Sequence, residues 1–330
     1  MANKVKRRKK SGGTRRTIVP VLLVCVALWL LIVLIPHNSG AYMHSSAING
    51  PMQQGTVLLG SEKIDPSTVS VILDSQLYSG YAYLCNAENV SVIAEKNSED
   101  RFYPASLTKI MTTLVLLENA DDLYAETTVS AKMYNKLYNE GASMAGFSAG
   151  EKTRLYDLLC GIMLPSGAEA AIAAAEFVAG SEEKLVAMMN TKALEMGLAN
   201  THFANITGLH DDNHYTNAAE MATILSAALE NETFREISSK QSHFVPPTNK
   251  HPNGFTMKST VFNKLGGKQP KALEIIGGKT GFTYEAGLCL ATYAELDGEL
   301  YIAVTMGAEG NHRTPQYQVD DAVYLYNLVA

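Results

Sequence analysis

Three short stretches carry the residue types that acyl transfer needs: Ser106-Leu107-Thr108-Lys109, Ser166-Gly167-Ala168 and Lys279-Thr280-Gly281. A serine hydroxyl is a poor nucleophile until a base takes its proton. A lysine one turn later can be that base if its pKa is depressed, and a helix N-terminus and burial both push it down. The structural alternative makes Ser106 a helix cap and Lys109 a surface residue. Ser166, with Glu169 three residues on, has the pattern of a capping box. A chemical role needs it instead on a loop edge facing the first pair, where it could pass a proton to a leaving group. Lys279 and Thr280 could bind a carboxylate by charge and hydroxyl, and Gly281 beside them would let a peptide backbone approach. A glycine-rich turn with a solvated lysine accounts for the third stretch equally well.

The elements that position these residues follow from periodicity. Leu107, Ile110, Met111, Leu114 and Val115 recur at i, i+3, i+4 and i+7, which predicts an amphipathic helix with one face in a core, opened by Pro104 and Ser106. Ser106 and Lys109 then lie about 60° apart on the flank of its apolar stripe. The stretch from Gly80 to Asn97 reads as two strands around an Asn-containing turn. The middle of the chain is helical, in "TRLYDLLCGIML", "EAAIAAAEFVAG", "EEKLVAMMNTKALEMG" and "NAAEMATILSAALENE". Strands return in "AGLCLATYAEL" and "GELYIAVTMGA" around an Asp-Gly turn, and a helix closes the chain. This layout predicts an α/β chain of the α+β kind, with one antiparallel sheet built from both chain ends and a helical insertion between them.

Order and spacing give the three stretches a joint meaning. They lie 60 and then 113 residues apart, in the order Ser-x-x-Lys, Ser triplet, Lys-Thr-Gly that marks penicillin-binding proteins and class A β-lactamases. From about residue 80 onward the chain resembles the low-molecular-mass penicillin-binding proteins of the D-alanyl-D-alanine carboxypeptidase family. "RFYPASLTKIMT" resembles that family's opening helix and "GASMAGFSAGEKTRLYDLLCGIMLPSG" its second block. The resemblance extends through "AGSEEKLVAMMNTKALEMGLANTHFANITGLHDDNHYTNAAEMA".

The resemblance implies the serine β-lactamase/transpeptidase-like fold and a role for each residue. Ser106 would attack the carbonyl between two D-alanines of a peptidoglycan stem peptide, Lys109 would activate it, and Ser166 would relay a proton to the departing D-alanine. Lys279 and Thr280 would hold the terminal carboxylate or polarise the site, and Gly281 would line it. The backbone N–H groups of Ser106 and Phe282 would form the oxyanion hole. β-Lactams would acylate the same serine. One departure stands out: the family's middle motif is usually Ser-x-Asn, and here Ala168 occupies the third position. A replacement donor such as Glu169 or a water, a reduced rate, or peptide binding without turnover would each be consistent with it. Arg313 is a candidate partner for the substrate carboxylate, as an arginine on the last strands is in relatives.

Charge and hydropathy set the expected location. Eight of the 27 Lys and Arg residues fall in residues 1–16, which leaves 19 against 33 acidic residues and a remainder near −14. The basic run could suit a nucleic acid, but Ile18 to Ile35 follows it with no charge, which is about the length of a membrane span. We therefore expect a cytoplasmic tail at 1–17, a signal anchor at 18–35, an extracytoplasmic stalk at 36–78 and the catalytic domain at 79–330, in a bacterial and Gram-positive setting. Nucleic acid is not an expected partner. Cys25 lies in the span, and Cys85, Cys160 and Cys289 are too scattered for a disulfide framework or a metal pair. No cofactor or metal is expected. A zinc peptidase could draw on His202, His210, Asp211, Asp212 and His214, but the stretch lacks the paired helical spacing of a zinc motif. A β-lactamase would need a deacylating glutamate that the sequence does not identify, and a non-catalytic wall-binding protein would keep the groove without forming an acyl-serine.

Overall fold

Strands from both ends of the chain alternate in side-chain direction and bury both faces, so the sheet they form carries helices on each side. The computed structural model describes residues 71–73, 76–130, 137 and 141–329. The basic tail at 1–17, the apolar stretch at 18–35 and most of the stretch at 36–78 assigned to a stalk lie outside the described residues. Among the described residues, no helix is long and apolar enough to cross a membrane.

The strands are β1 (Val71–Ile72), β2 (Tyr81–Asn86), β3 (Val92–Lys96), β4 (Glu126–Thr128), β5 (Lys152–Arg154), β6 (Ser242–Val245), β7 (Phe255–Lys258), β8 (Glu274–Thr283), β9 (Gly287–Leu296) and β10 (Glu299–Ala308). The main sheet has the order β1-β3-β2-β10-β9-β8, while β4 pairs with β5 and β6 with β7. Every pairing in the main sheet is antiparallel except the short edge pair β1–β3, which is parallel. The sheet thus begins inside the stretch that the sequence assigns to a stalk. Leu73 and Leu77 are buried against it, and Asp321 accepts hydrogen bonds from the N–H groups of Tyr78 and Ser79.

In β10, Ile302, Val304 and Met306 point to one core, while Tyr301 and Ala303 point to the other. Burial on both faces is why these strands read as nearly continuous apolar runs. The second core is closed by the terminal helix Tyr317–Tyr326, whose Val319, Ala322, Leu325 and Tyr326 are buried. The first is filled by the inserted helices, chiefly α1 (Thr108–Asn119), α2 (Leu155–Met163), α3 (Ala168–Val178), α4 (Glu182–Glu195) and α5 (Ala218–Leu229).

Helix α1 differs from its expected form. Thr108 through Leu116 are all buried, not only the apolar stripe. It is a central helix packed on several sides, so its polar side chains need internal partners. Thr112 Oγ1, for example, donates to the Ile206 carbonyl at 2.8 Å.

Candidate active site

Residues 105–107 form a single 3-10 turn ahead of α1, and no side chain caps either element. Ser106 is therefore not a helix cap. Lys109 is not a surface residue either: it is 2% exposed. Its Nζ lies 3.2 Å from Ser106 Oγ and 2.6 Å from the Thr207 carbonyl. Burial lowers its pKa to about 7, with the Glu169 carboxylate opposing the shift. Desolvation, rather than the helix dipole, is thus the main cause. A neutral amine in this geometry gives one N–H to Thr207 and keeps its lone pair for the serine proton.

Strand β8 runs beside the turn. A Cβ on Gly281 would lie 3.1 Å from the Pro104 oxygen and 3.2 Å from Ser106 N, so glycine is what lets the strand come this close. The next residue, Phe282, lines the same space as Ser106. Lys279 is fully buried, donates its Nζ to the Thr280 carbonyl at 2.8 Å, and lines neither of the two cavities described below. Burial and the neighbouring Lys109 both hold its pKa well below that of an ordinary lysine. Of the two roles expected for it, polarising the site fits this position better than direct contact with a carboxylate.

The Ser166–Glu169 capping box does not form. The cap position of α3 is Gly167, without a side-chain hydrogen bond. Glu169 instead accepts from the N–H groups of Ala145, Gly146 and Phe147 at 2.6, 2.9 and 3.3 Å. All three bonds fall on Oε1 and hold the 145–147 loop, while Oε2 is buried with no partner among the described residues. A carboxylate oxygen accepts, so it does not replace the donor N–H of the amide missing at Ala168. Ser166 sits at φ +70° with its hydroxyl buried and without a partner among the described residues. Such strain in a non-glycine residue persists only where the surroundings enforce it. Gly167 beside it is closely packed: a Cβ there would lie 2.5 Å from Ala145 Cβ and 3.0 Å from the Gly161 oxygen.

Two cavities meet at Ser106. The larger, about 800 Å3, is lined by Lys109, Ala168, Thr207, Asp211 and Glu285 among others. The smaller, about 60 Å3, is lined by Ser166, Thr260, Lys264, Thr280 and Gln318. Ser106, Ser143, Phe282 and His312 border both. Arg313 borders neither. Thr280 Oγ1 lies 2.8 Å from Thr260 Oγ1.

A model of the Peptidase S11 D-alanyl-D-alanine carboxypeptidase family matches residues 68–310. The chain belongs to that family. It is 35% identical over 228 residues to D-alanyl-D-alanine carboxypeptidase DacF of Bacillus subtilis, a match that covers 69% of this chain and 57% of DacF. It thus spans little more than half of that relative's length. It is 27% identical to the D-alanyl-D-alanine carboxypeptidase of Streptomyces sp. strain K15, over 76% of this chain and 88% of that one. The crystal structure of the Streptomyces K15 DD-transpeptidase superposes with a TM-score of 0.70 at 27% identity, covering 78% of this chain and 98% of that one.

Several residues of this S11 site were not singled out from the sequence. The acceptor for Lys109 is a backbone carbonyl, which has no residue-type signature. Asn205 fixes it, because its Oδ1 accepts from Thr207 N at 3.0 Å and Gly208 N at 2.7 Å. The Asn-Ile-Thr-Gly run is the pattern of a side-chain-braced turn and could have signalled this. Lys264 and Thr260 come from the short helix Thr260–Leu265, for which no sequence signal pointed to the site.

Proposed function

We propose that this chain is a serine-type D-alanyl-D-alanine carboxypeptidase acting on peptidoglycan stem peptides. One observation carries the reading: a buried lysine with a pKa near neutrality, 3.2 Å from a serine hydroxyl where two cavities meet. Ser106 Oγ attacks the carbonyl carbon between the two D-alanines, and its proton moves to Lys109 Nζ. The N–H groups of Ser106 and Phe282 stabilise the oxyanion. Collapse breaks the C–N bond, and the departing D-alanine amine takes a proton through Ser166, whose hydroxyl has no other partner among the described residues. Water then hydrolyses the acyl ester and frees Ser106. A β-lactam enters by the same attack on its ring carbonyl.

The smaller cavity suits the terminal carboxylate, with the Thr280 and Thr260 hydroxyls and the Lys264 ammonium around it. Lys264 has no carboxylate partner among the described residues. We expect Lys264→Met to raise KM for a D-Ala-D-Ala peptide on the order of tenfold with little change in kcat, the size of one charge-assisted hydrogen bond, while Lys264→Arg stays near the wild type. Steady-state kinetics would check this, and an unchanged KM in Lys264→Met would remove Lys264 from the carboxylate site. The basic residues 1–17 and apolar residues 18–35 support tethering to the cell membrane, with the catalytic domain outside.

The test is release of D-alanine from a stem peptide by the purified chain, together with its intact mass after brief exposure to penicillin. The expected result is D-alanine release and one stable penicillin adduct, both absent in Ser106→Ala. Neither an adduct nor release would leave a wall-peptide-binding protein. An adduct without release would keep Ser106 as a nucleophile but overturn the carboxypeptidase activity, and rapid penicillin turnover would indicate a β-lactamase.

A further inference from the structure

His214 is buried, at 2% exposure, and none of the chemistry above uses it. It belongs to the histidine-rich stretch that could have suggested zinc, but no cluster able to hold a metal occurs among the described residues. Its Nδ1 accepts the Ala204 N–H at 3.1 Å. The proton of the neutral ring must then sit on Nε2. That nitrogen lies 2.7 Å from Thr108 Oγ1, and Thr108 donates its own proton to the Ala105 carbonyl at 2.8 Å. All three donors therefore point the same way along one chain, from Ala204 N–H through His214 and Thr108 to Ala105.

Both ends of this chain matter to the site. Ala105 precedes the nucleophile and is held at φ +46°, a left-handed conformation that an alanine adopts only under constraint. Ala204 opens the loop that carries Asn205 and Thr207, and Thr207 supplies the carbonyl on Lys109 Nζ. Burial pushes the His214 pKa down to about 4, so near neutral pH the ring keeps the tautomer that both contacts require.

We infer that Thr108 and His214 are positioning residues that brace the strained backbone before Ser106 and tie it to the loop that holds Lys109. This inference rests on the reading of Ser106 as the nucleophile. It accounts for a threonine inside the Ser-x-x-Lys stretch as part of the scaffold of the nucleophile rather than as helix filler.

The test uses the purified full-length chain and the rate of penicillin acylation, separated into initial affinity and the acylation step. Thr108→Val keeps the shape and removes the hydroxyl. It is expected to slow acylation on the order of tenfold, the effect of unpairing a buried polar group, with the initial affinity unchanged. Thr108→Ser should recover most of the rate. If the two residues act as one unit, Thr108→Val combined with His214→Gln should be no slower than the slower single variant. Acylation of Thr108→Val at the wild-type rate, or losses that multiply in the double variant, would overturn the inference. If the wild type forms no adduct, the peptidase reading fails instead. A crystal structure of Thr108→Val then decides the brace, with Ala105 released from positive φ supporting it and Ala105 unmoved near +46° refuting it.

Discussion

Penicillin acylation of the wild-type chain is expected to rise about tenfold per pH unit below pH 7 and to level off above it, and Lys109→Met is expected to lose both the rate and the slope. Only the neutral amine can accept the Ser106 proton, so activity follows the deprotonated fraction of Lys109. Burial holds that pKa at about 7, so the rising limb lies between roughly pH 5.5 and 7. General-base catalysis is worth about 10²–10⁴-fold, which sets the loss expected in Lys109→Met. The same depressed pKa has a stability consequence of definite sign. Between pH 10.5, the ordinary lysine value, and about 7, the unfolded chain binds the proton that the folded chain refuses. Stability is then fully present above pH 10.5 and falls as pH drops towards 7, by roughly 5 kcal/mol over the whole interval. Lys109→Met lacks this cost and should melt at a higher temperature than the wild type at pH 7. Intact mass against time across pH gives the rates, and calorimetry gives the melting order. A wild-type profile flat from pH 5.5 to 8 would sink the assignment of Lys109 as the base.

What was legible in the sequence was what side-chain type and period can encode. The strand pair around Asn86, the late hairpin and the run of helices all show in apolar spacing, and Ser106, Lys109 and Lys279 show in motif order. Burial of long polar groups is not encoded that way. Helix α1 reads as amphipathic because Thr108, Lys109, Thr112 and Thr113 are polar, yet all four are buried, since helices α2 to α5 surround it. Glu169 matches a capping pattern locally, but three loop amides offer it more than one helix N–H can. His214 reads as one loop histidine among several until the fold brings it to Thr108, 106 residues away in sequence. Contacts of that separation are set by topology, and a single sequence carries no periodic trace of them.

Gly208→Ala is expected to be the most damaging small substitution in the site, and Gly197→Ala is its control. Both glycines sit at positive φ, +79° and +74°. An alanine there costs on the order of 1 kcal/mol for the conformation alone. Space separates them. A Cβ at Gly197 meets nothing within 4 Å, whereas at Gly208 it would lie 1.9 Å from the Ala105 oxygen and 2.8 Å from Ser106 N. Neither atom can swing aside as a flexible side-chain end would, because both are backbone. The 205–208 turn must move, and it takes with it the Thr207 carbonyl that holds Lys109. Gly208→Ala should therefore lose about 3 kcal/mol or more of stability, in the range of overpacked cores, and acylate penicillin at least about a hundredfold more slowly even where it stays folded. Gly197→Ala should melt within a few degrees of the wild type and acylate normally. Thermal unfolding and acylation rates measured side by side decide the point. Equal behaviour of the two variants would mean that the close approach of the Gly208 turn to Ala105 is not what holds the nucleophile in place.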